Sequence, residues 1–277
     1  MKIYKITDGI VIEDEKNNYY LTKEENFDQF INQENLYNFL ENKIVGLTPL
    51  IDTNFQSQIQ APLVSQEVWA AGVTYLRSRD ARMEESQEAA GATFYDKVYD
   101  AERPEIFFKA TAQRVVGTNQ KVRIRKDSTW NVPEPELTLL ITSTGKIVGY
   151  TIGNDMSSRS IEGENPLYLP QAKVYEKCAA LGPCIYVPRS PISPETKISI
   201  MIDRDGNTLY QDSVQISQMK RKHTELVEFL FRECDFPDGC FLMTGTCLVP
   251  PNEFTLESGD EISIYIENIG TLKNSVE

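Results

Sequence analysis

From about Gln60 to its end the chain is a succession of short apolar runs, each broken by Gly, Pro, Asn or Asp. That texture favours a β-dominated core. Strands are expected at 105–108, 136–142, 147–152, 197–203 and 261–266, with helical exceptions in the charged stretch 78–89 and the amphipathic stretch near 218–233. The first sixty residues differ, being rich in Asn, Glu, Lys and Tyr. Short strands at 2–6 and 10–12, joined through Asp8-Gly9, a third near Tyr19 to Leu21, and one or two helices over 23–43 describe a small α+β unit. The expected organisation is therefore α+β overall and β-dominated, with a small N-terminal domain at 1–62 and a larger one at 63–277. No internal repeat is evident.

A formal charge of -13 over 277 residues argues against nucleic acid as a partner. No apolar run approaches the roughly 20 residues needed to span a bilayer, so the expectation is no membrane partner and a cytoplasmic location. Cys178, Cys184, Cys234, Cys240 and Cys247 are odd in number and form no Cys-x-x-Cys pair, which speaks for reduced thiols rather than a zinc knuckle or redox motif. His223 is the single histidine, on an expected helix that offers it no catalytic partners. Hydrolysis by a serine or cysteine with a histidine base is thereby argued against.

Chemistry concentrates in one stretch: Glu134 and Glu136 in Val-Pro-Glu-Pro-Glu-Leu, Asp155 in Gly-Asn-Asp, then Lys173. Strand alternation puts Glu134 and Glu136 on one side, with Cβ atoms roughly 6.5 to 7 Å apart, so both carboxylates can reach one ion. Asp155 follows the run 147–152, where a neighbouring strand would end. Three oxygen ligands without His or Cys suit Mg²⁺, with Mn²⁺ or Ca²⁺ possible, better than Zn²⁺. On spacing alone a solvated edge strand explains the same residues. Pro133 and Pro135 remove two ladder donors, which predicts an edge or an irregular strand start.

Several motifs together resemble the fumarylacetoacetate hydrolase superfamily over about three quarters of the chain. They are Gly72-Val-Thr-Tyr, Pro104-Glu-Ile-Phe-Phe-Lys, Val132-Pro-Glu-Pro-Glu-Leu, Gly149-Tyr-Thr-Ile-Gly-Asn-Asp-Met-Ser-Ser-Arg, Gln171-Ala-Lys, Leu181-Gly-Pro, Met243-Thr-Gly-Thr, and Gly259-Asp with Ile269-Gly-Thr-Leu-Lys-Asn-Ser-Val. The resemblance implies a mixed β-sandwich roll for the catalytic domain and a homodimer or homotetramer. It also implies metal ligation by Glu134, Glu136 and Asp155, an active-site Lys173, and substrate contact from Thr244 to Thr246.

Hydrolases and decarboxylases of this superfamily often carry Tyr-x-x-His-x-x-Glu in a cover segment. Here the stretch reads Tyr75-Leu-Arg-Ser78-Arg-Asp-Ala81, which keeps neither dyad position. Within the family the chain most resembles members that dehydrate 2-keto-3-deoxy sugar acids. The expected substrate is a small 2-keto acid bound through Mg²⁺, with loss of the C4 hydroxyl. Lys173 is then expected in charge stabilisation or proton transfer, and Arg77, Ser78 and Thr246 in substrate binding. Glu105 is a candidate general acid or base that fits a surface strand equally well. Residues 77–98 fit either a solvated helix or a mobile cover. The competing readings are a family hydrolase of a diketo acid or acylpyruvate, and a non-catalytic metabolite-binding protein.

Overall fold

The computed structural model describes residues 1–23, 26–76 and 97–277. The N-terminal part supplies β1 (Lys2–Ile6), β2 (Gly9–Glu13) and β3 (Tyr19–Thr22), then helices Phe27–Ile31 and Leu36–Ile44. β4 (Glu67–Gly72) and β5 (Glu105–Ala110) follow, with the short β6 (Val115–Val116), β7 (Gln120–Val122) and β8 (Asn131–Val132). Next come β9 (Pro135–Ile141), β10 (Ile147–Asp155), β11 (Ser157–Ser158), and the helices Arg159–Glu164 and Leu169–Lys173. The remainder is β12 (Ala179–Tyr186), β13 (Lys197–Arg204), β14 (Asn207–Gln215), helix His223–Phe231, β15 (Cys240–Met243), β16 (Glu261–Ile266) and β17 (Gly270–Val276). The expected β-dominated α+β class is what the structure has.

Among the described residues ten strands form one mixed sheet, in the order β3-β2-β1-β12-β10-β9-β15-β4-β5, with β6 against β12. A second sheet runs β14-β13-β16-β17-β7. Side-chain alternation assigns the two faces of the large sheet to different partners. Leu137, Leu139, Ile141, Ile152 and Leu242 pack with Ile198, Ile200, Ile262 and Leu272 of the small sheet. On the opposite face Leu140, Val68, Phe241 and Met243 pack against Phe30, Ile31, Leu36 and Leu40 of the N-terminal helices. β9 is thus covered on both sides, which is why Leu137-Thr-Leu-Leu-Ile reads as a near-continuous apolar run. Every residue of β9 is buried. Truncating one of its leucines to Ala would cost about 2–5 kcal/mol.

Two expectations narrow here. Of the edge or irregular strand start that the prolines predict, the structure has the second: β9 is an interior strand, between β10 and β15, and begins at Pro135. Pro135 is tolerated because it is the first residue of the strand, paired with Asn154, where a missing donor interrupts no ladder. The helix expected near 218–233 is confined to His223–Phe231, because Ile216–Gln218 tightens into a 3-10 turn before it. The charged stretch 78–89 lies outside the described residues. All five cysteines are free, four buried and Cys234 exposed. Among the described residues no helix is long and apolar enough to cross a membrane.

Candidate active site

β9 and β10 pair antiparallel with Glu136 opposite Gly153 and Asn154 opposite Pro135. The Asp155 amide donates to the Glu134 carbonyl oxygen at 2.9 Å. This register brings Glu134, Glu136 and Asp155 together, with one ligand oxygen from each lying within 4.8 Å of the others. All three are buried, at 3%, 2% and 0% exposed. Glu134 and Glu136 do meet, although Glu134 lies just before β9 rather than in it, and Asp155 is the last residue of β10, at the expected strand end.

Three anionic groups this close and this dry need compensation. Burial, then Asp155 and Glu134, push the Glu136 carboxyl well above the usual carboxylate range, against the pull of the Gly245 amide and Lys173. Lys173, at the end of its short helix and fully buried, donates to Glu134 Oε2 at 2.6 Å, Asp155 Oδ2 at 3.2 Å and Ser157 Oγ. Arg159 opens the helix capped by Ser158, and its Nη2 donates to Glu134 Oε1 at 2.7 Å. Glu162, one turn on, stands 4.0 Å from Arg159 Nε. Buried acids that repel one another, all with oxygen donors and no His or Cys, are a set that fits a hard divalent cation.

The rest of the cleft comes from the chain crossings beside β9. After β15 the backbone turns through Thr244-Gly245-Thr246, where Thr244 donates twice to the Leu137 carbonyl, from its amide at 3.0 Å and its hydroxyl at 2.9 Å. Gly245 then points its amide at Glu136 Oε2. Only glycine serves there: φ is +96°, and a Cβ would land on Thr74 Oγ1 and 2.9 Å from the Ala71 carbonyl oxygen. Val73, on the facing turn, is a β-branched residue at φ 52° lining the cleft, an outlier of the kind that surrounding structure must hold in place. Thr246, 7% exposed, lines the same cleft.

β5 closes the far wall. Glu105, Phe107 and Lys109 share one face by alternation. Glu105 lies opposite Gly72, and a Cβ on Gly72 would collide with its carboxylate. Phe107 lines the cleft, its ring centroid 5.6 Å from Lys173 Nζ. Lys109, fully buried, ion-pairs with Asp155 Oδ1 and donates to the carbonyl oxygens of Met156, at 3.0 Å, and Lys173. Sequence reasoning missed Lys109 and Arg159 as site residues, although both stood inside quoted motifs. The period-2 pattern of Glu105-Ile-Phe-Phe-Lys was the available signal. Arg77 and Ser78 lie outside the described residues, as does nearly all of the suggested cover at 77–98.

Residues 68–277 match the family model described as Fumarylacetoacetate (FAA) hydrolase C-terminal. A Haloferax volcanii protein named "Probable 2-keto-3-deoxyxylonate dehydratase" is 51% identical over 216 residues, covering 78% of this chain and 73% of that one. The 2-dehydro-3-deoxy-D-arabinonate dehydratase of Saccharolobus solfataricus is 45% identical over 217 residues, with the same two coverages of 78% and 73%. A solved structure of 2-keto-3-deoxy-D-arabinonate dehydratase complexed with magnesium and 2,5-dioxopentanoate aligns with a TM-score of 0.87 at 35% identity, over 100% of this chain and 99% of that one.

Proposed function

From the premise that this chain belongs to the fumarylacetoacetate hydrolase family, we propose that it is a Mg²⁺-dependent dehydratase converting 2-dehydro-3-deoxy-D-arabinonate to 2,5-dioxopentanoate and water. The observation that carries this is the buried Glu134, Glu136 and Asp155 cluster with Lys173 bonded into it. Support for the substrate comes from the two dehydratase relatives, whose names in the D series describe one compound. D-Xylonate and D-arabinonate differ only at C2 and C3, the centres that become the keto group and the methylene.

In this reading Glu134, Glu136 and Asp155 hold the cation. Bound Mg²⁺ would supply Lewis-acid polarisation of the substrate's carboxylate and keto oxygens, which acidifies the C3 protons. The protein then has three tasks: take a proton from C3, protonate the departing C4 hydroxyl so that it leaves as water, and return two protons, one from C5 and one from its hydroxyl, to C3 and C4 so that C5 becomes the aldehyde. Lys173 has its ammonium beside the carboxylates, placed for charge stabilisation or for carrying the C3 proton. Glu105, across the cleft mouth on β5, is the general acid or base for the hydroxyl end. Arg77 and Ser78 bind the substrate's carboxylate or hydroxyls, arginine by paired donation, and Thr246 contacts it as well. A His-Glu dyad to activate attacking water is absent from the Tyr75 to Ala81 sequence, so elimination is favoured over carbon–carbon hydrolysis.

The reading further takes 63–277 as the catalytic domain and 1–62 as a small appended one, in a cytoplasmic homodimer or homotetramer. Incubating pure protein with Mg²⁺ and 2-keto-3-deoxy-pentonates, and following the semialdehyde with a coupled dehydrogenase, tests the activity directly. Absence of product together with cleavage of an acylpyruvate would overturn it.

A further inference from the structure

Lys173 reaches the acid cluster from a helix too short to hold itself. Leu169–Lys173 has five residues and no side-chain cap at Tyr168, and so short a helix depends on its surroundings. Support arrives at its C-terminal end, where carbonyl oxygens lack intrahelical donors. The Val174 amide closes the Pro170 carbonyl at 3.0 Å. The Gln171 carbonyl accepts from Arg125 Nη1 at 3.1 Å, and the Lys173 carbonyl from Lys109 Nζ. Both donors are cations, which the peptide dipoles favour at a helix C-terminus. Arg125 is itself aimed: its Nε and Nη2 grip the two oxygens of Asp127, at 2.8 and 2.6 Å, and Nη1 turns to the helix. The ring of Tyr175, two residues beyond Lys173, meets both donors, with Arg125 Cζ and Lys109 Nζ each 5.7 Å from its centroid. Among the described residues neither Arg125 nor Tyr175 lines the cleft.

We infer that Arg125 is a positioning residue for Lys173, fixing from outside the cleft the turn that carries the ammonium, with the Tyr175 ring as its support. This rests on the reading of Lys173 as a group of the reaction and adds what aims it. Lys109 is anchored independently, by Asp155 Oδ1 and the Met156 carbonyl, so it stays in place when Arg125 is lost. The Lys173 ammonium meets Glu134 Oε2 at 2.6 Å and Asp155 Oδ2 at 3.2 Å at once, and a shift of its backbone cannot keep both contacts. Misplacing a reacting group by about 1 Å costs on the order of 10²-fold in rate, and loosening the turn without unfolding it should cost about 10-fold.

Two measurements on the full chain test this. Hydrogen exchange of the metal-free protein should quicken about 10-fold over residues 169–174 in Arg125→Met, while β9 and β12 keep their wild-type rates. Turnover of 2-keto-3-deoxy-pentonates with Mg²⁺ should lose about 10-fold in kcat with KM changed by less than about 2-fold. Arg125→Lys can still donate to the Gln171 carbonyl and should recover most of the loss. Tyr175→Phe keeps the ring and drops a hydroxyl that has no partner among the described residues, so it should match wild type. A double variant separates positioning from general damage. In Lys173→Arg, which keeps the positive charge and residual turnover, adding Arg125→Met should subtract less than about 2-fold, because its effect passes through Lys173. The same full loss in both backgrounds, or unchanged exchange or kcat in Arg125→Met, overturns the inference and leaves the role of Lys173 standing. Wild-type turnover in Lys173→Met overturns both. Should Arg125→Met not fold, Asp127→Ala, which leaves the guanidinium in place but unaimed, carries the same expectation with a smaller loss.

Discussion

The two ends of β10 treat buried polarity in opposite ways. At the Asp155 end a cleft of about 20 Å³ is lined by Glu134, Glu136 and Asp155 with Lys173 and Arg159, and Lys109 and Glu162 pair with these from behind, acid and base interleaved. At the Tyr150 end a groove of about 1250 Å³ is lined by Tyr150, Ile192, Val227 and Phe231. There His223 has a buried Nε2 with no hydrogen-bond partner, its ring 6.5 Å from that of Tyr150. Burial lowers its pKa to about 4, so the imidazole stays neutral. Size does not mark the reactive site here. A charge survives in a dry interior when opposite charge and hydrogen bonds reach it, and a group without them gives up its charge instead.

The largest effect expected from disturbing that balance is at Glu136. Glu136→Gln keeps the shape and an acceptor for the Gly245 amide but deletes the carboxylate that burial and its two acidic neighbours destabilise most. Metal-dependent turnover should fall on the order of 10³-fold, as for loss of a preorganised charge at a reacting centre. The Tm of the metal-free protein should stay level or rise, because burial and two acidic neighbours already disfavour charge at this position, and the amide carries none. Equal loss of Tm and turnover would mean that Glu136 is structural. Next in size is Gly245→Ala, where left-handed φ and collision with Thr74 and the Ala71 carbonyl should cost about 2–4 kcal/mol in urea unfolding. Gly206→Ala is the control, with a positive φ of +78° but nothing within 4 Å, and should cost only about 1 kcal/mol. Similar losses at both positions would remove the argument that close packing at Gly245 aims its amide.

How much of this was legible in the sequence follows from how local each signal is. Glu134 and Glu136 could be placed on one face because strand period acts within three residues, and Asp155 followed an apolar run that marks its own strand. Lys109 carried the period-2 mark of its strand, but nothing in that pattern names a partner. Asp155 is far away in the chain, and β9, β15 and β4 lie between β10 and β5 in the sheet order, so neither chain nor strand adjacency announces the pair. Arg159 was hidden for a different reason: an arginine opening a short helix reads as a solvated residue until the helix is seen to cap the cleft. The prolines ahead of β9 left an edge and an irregular strand start open, because a missing donor does not say whether the strand starts there or is exposed along its length; the sheet order selects the start.

The smallest effect belongs to the groove, and it sharpens the contrast between the two ends. A histidine whose folded pKa is about 4 binds fewer protons than its unfolded counterpart near 6.5, so the folded state loses stability as pH falls through that window. The full shift is worth up to about 3 kcal/mol at 1.36 kcal/mol per unit. The surroundings push the same way: His223 is the first residue of its helix, where the dipole disfavours a cation, and Arg221, Lys222 and Arg189 line the groove with it, against Glu228 on the same helix. His223→Phe should therefore flatten the fall of Tm between pH 6.5 and 4 by several degrees. It should leave Mg²⁺-dependent turnover near neutral pH unchanged, because a neutral imidazole far from the acid cluster contributes no charge to it. An identical acid limb in wild type and variant would show that the groove does accommodate the protonated ring, and the contrast drawn along β10 would then rest on the acid cluster alone.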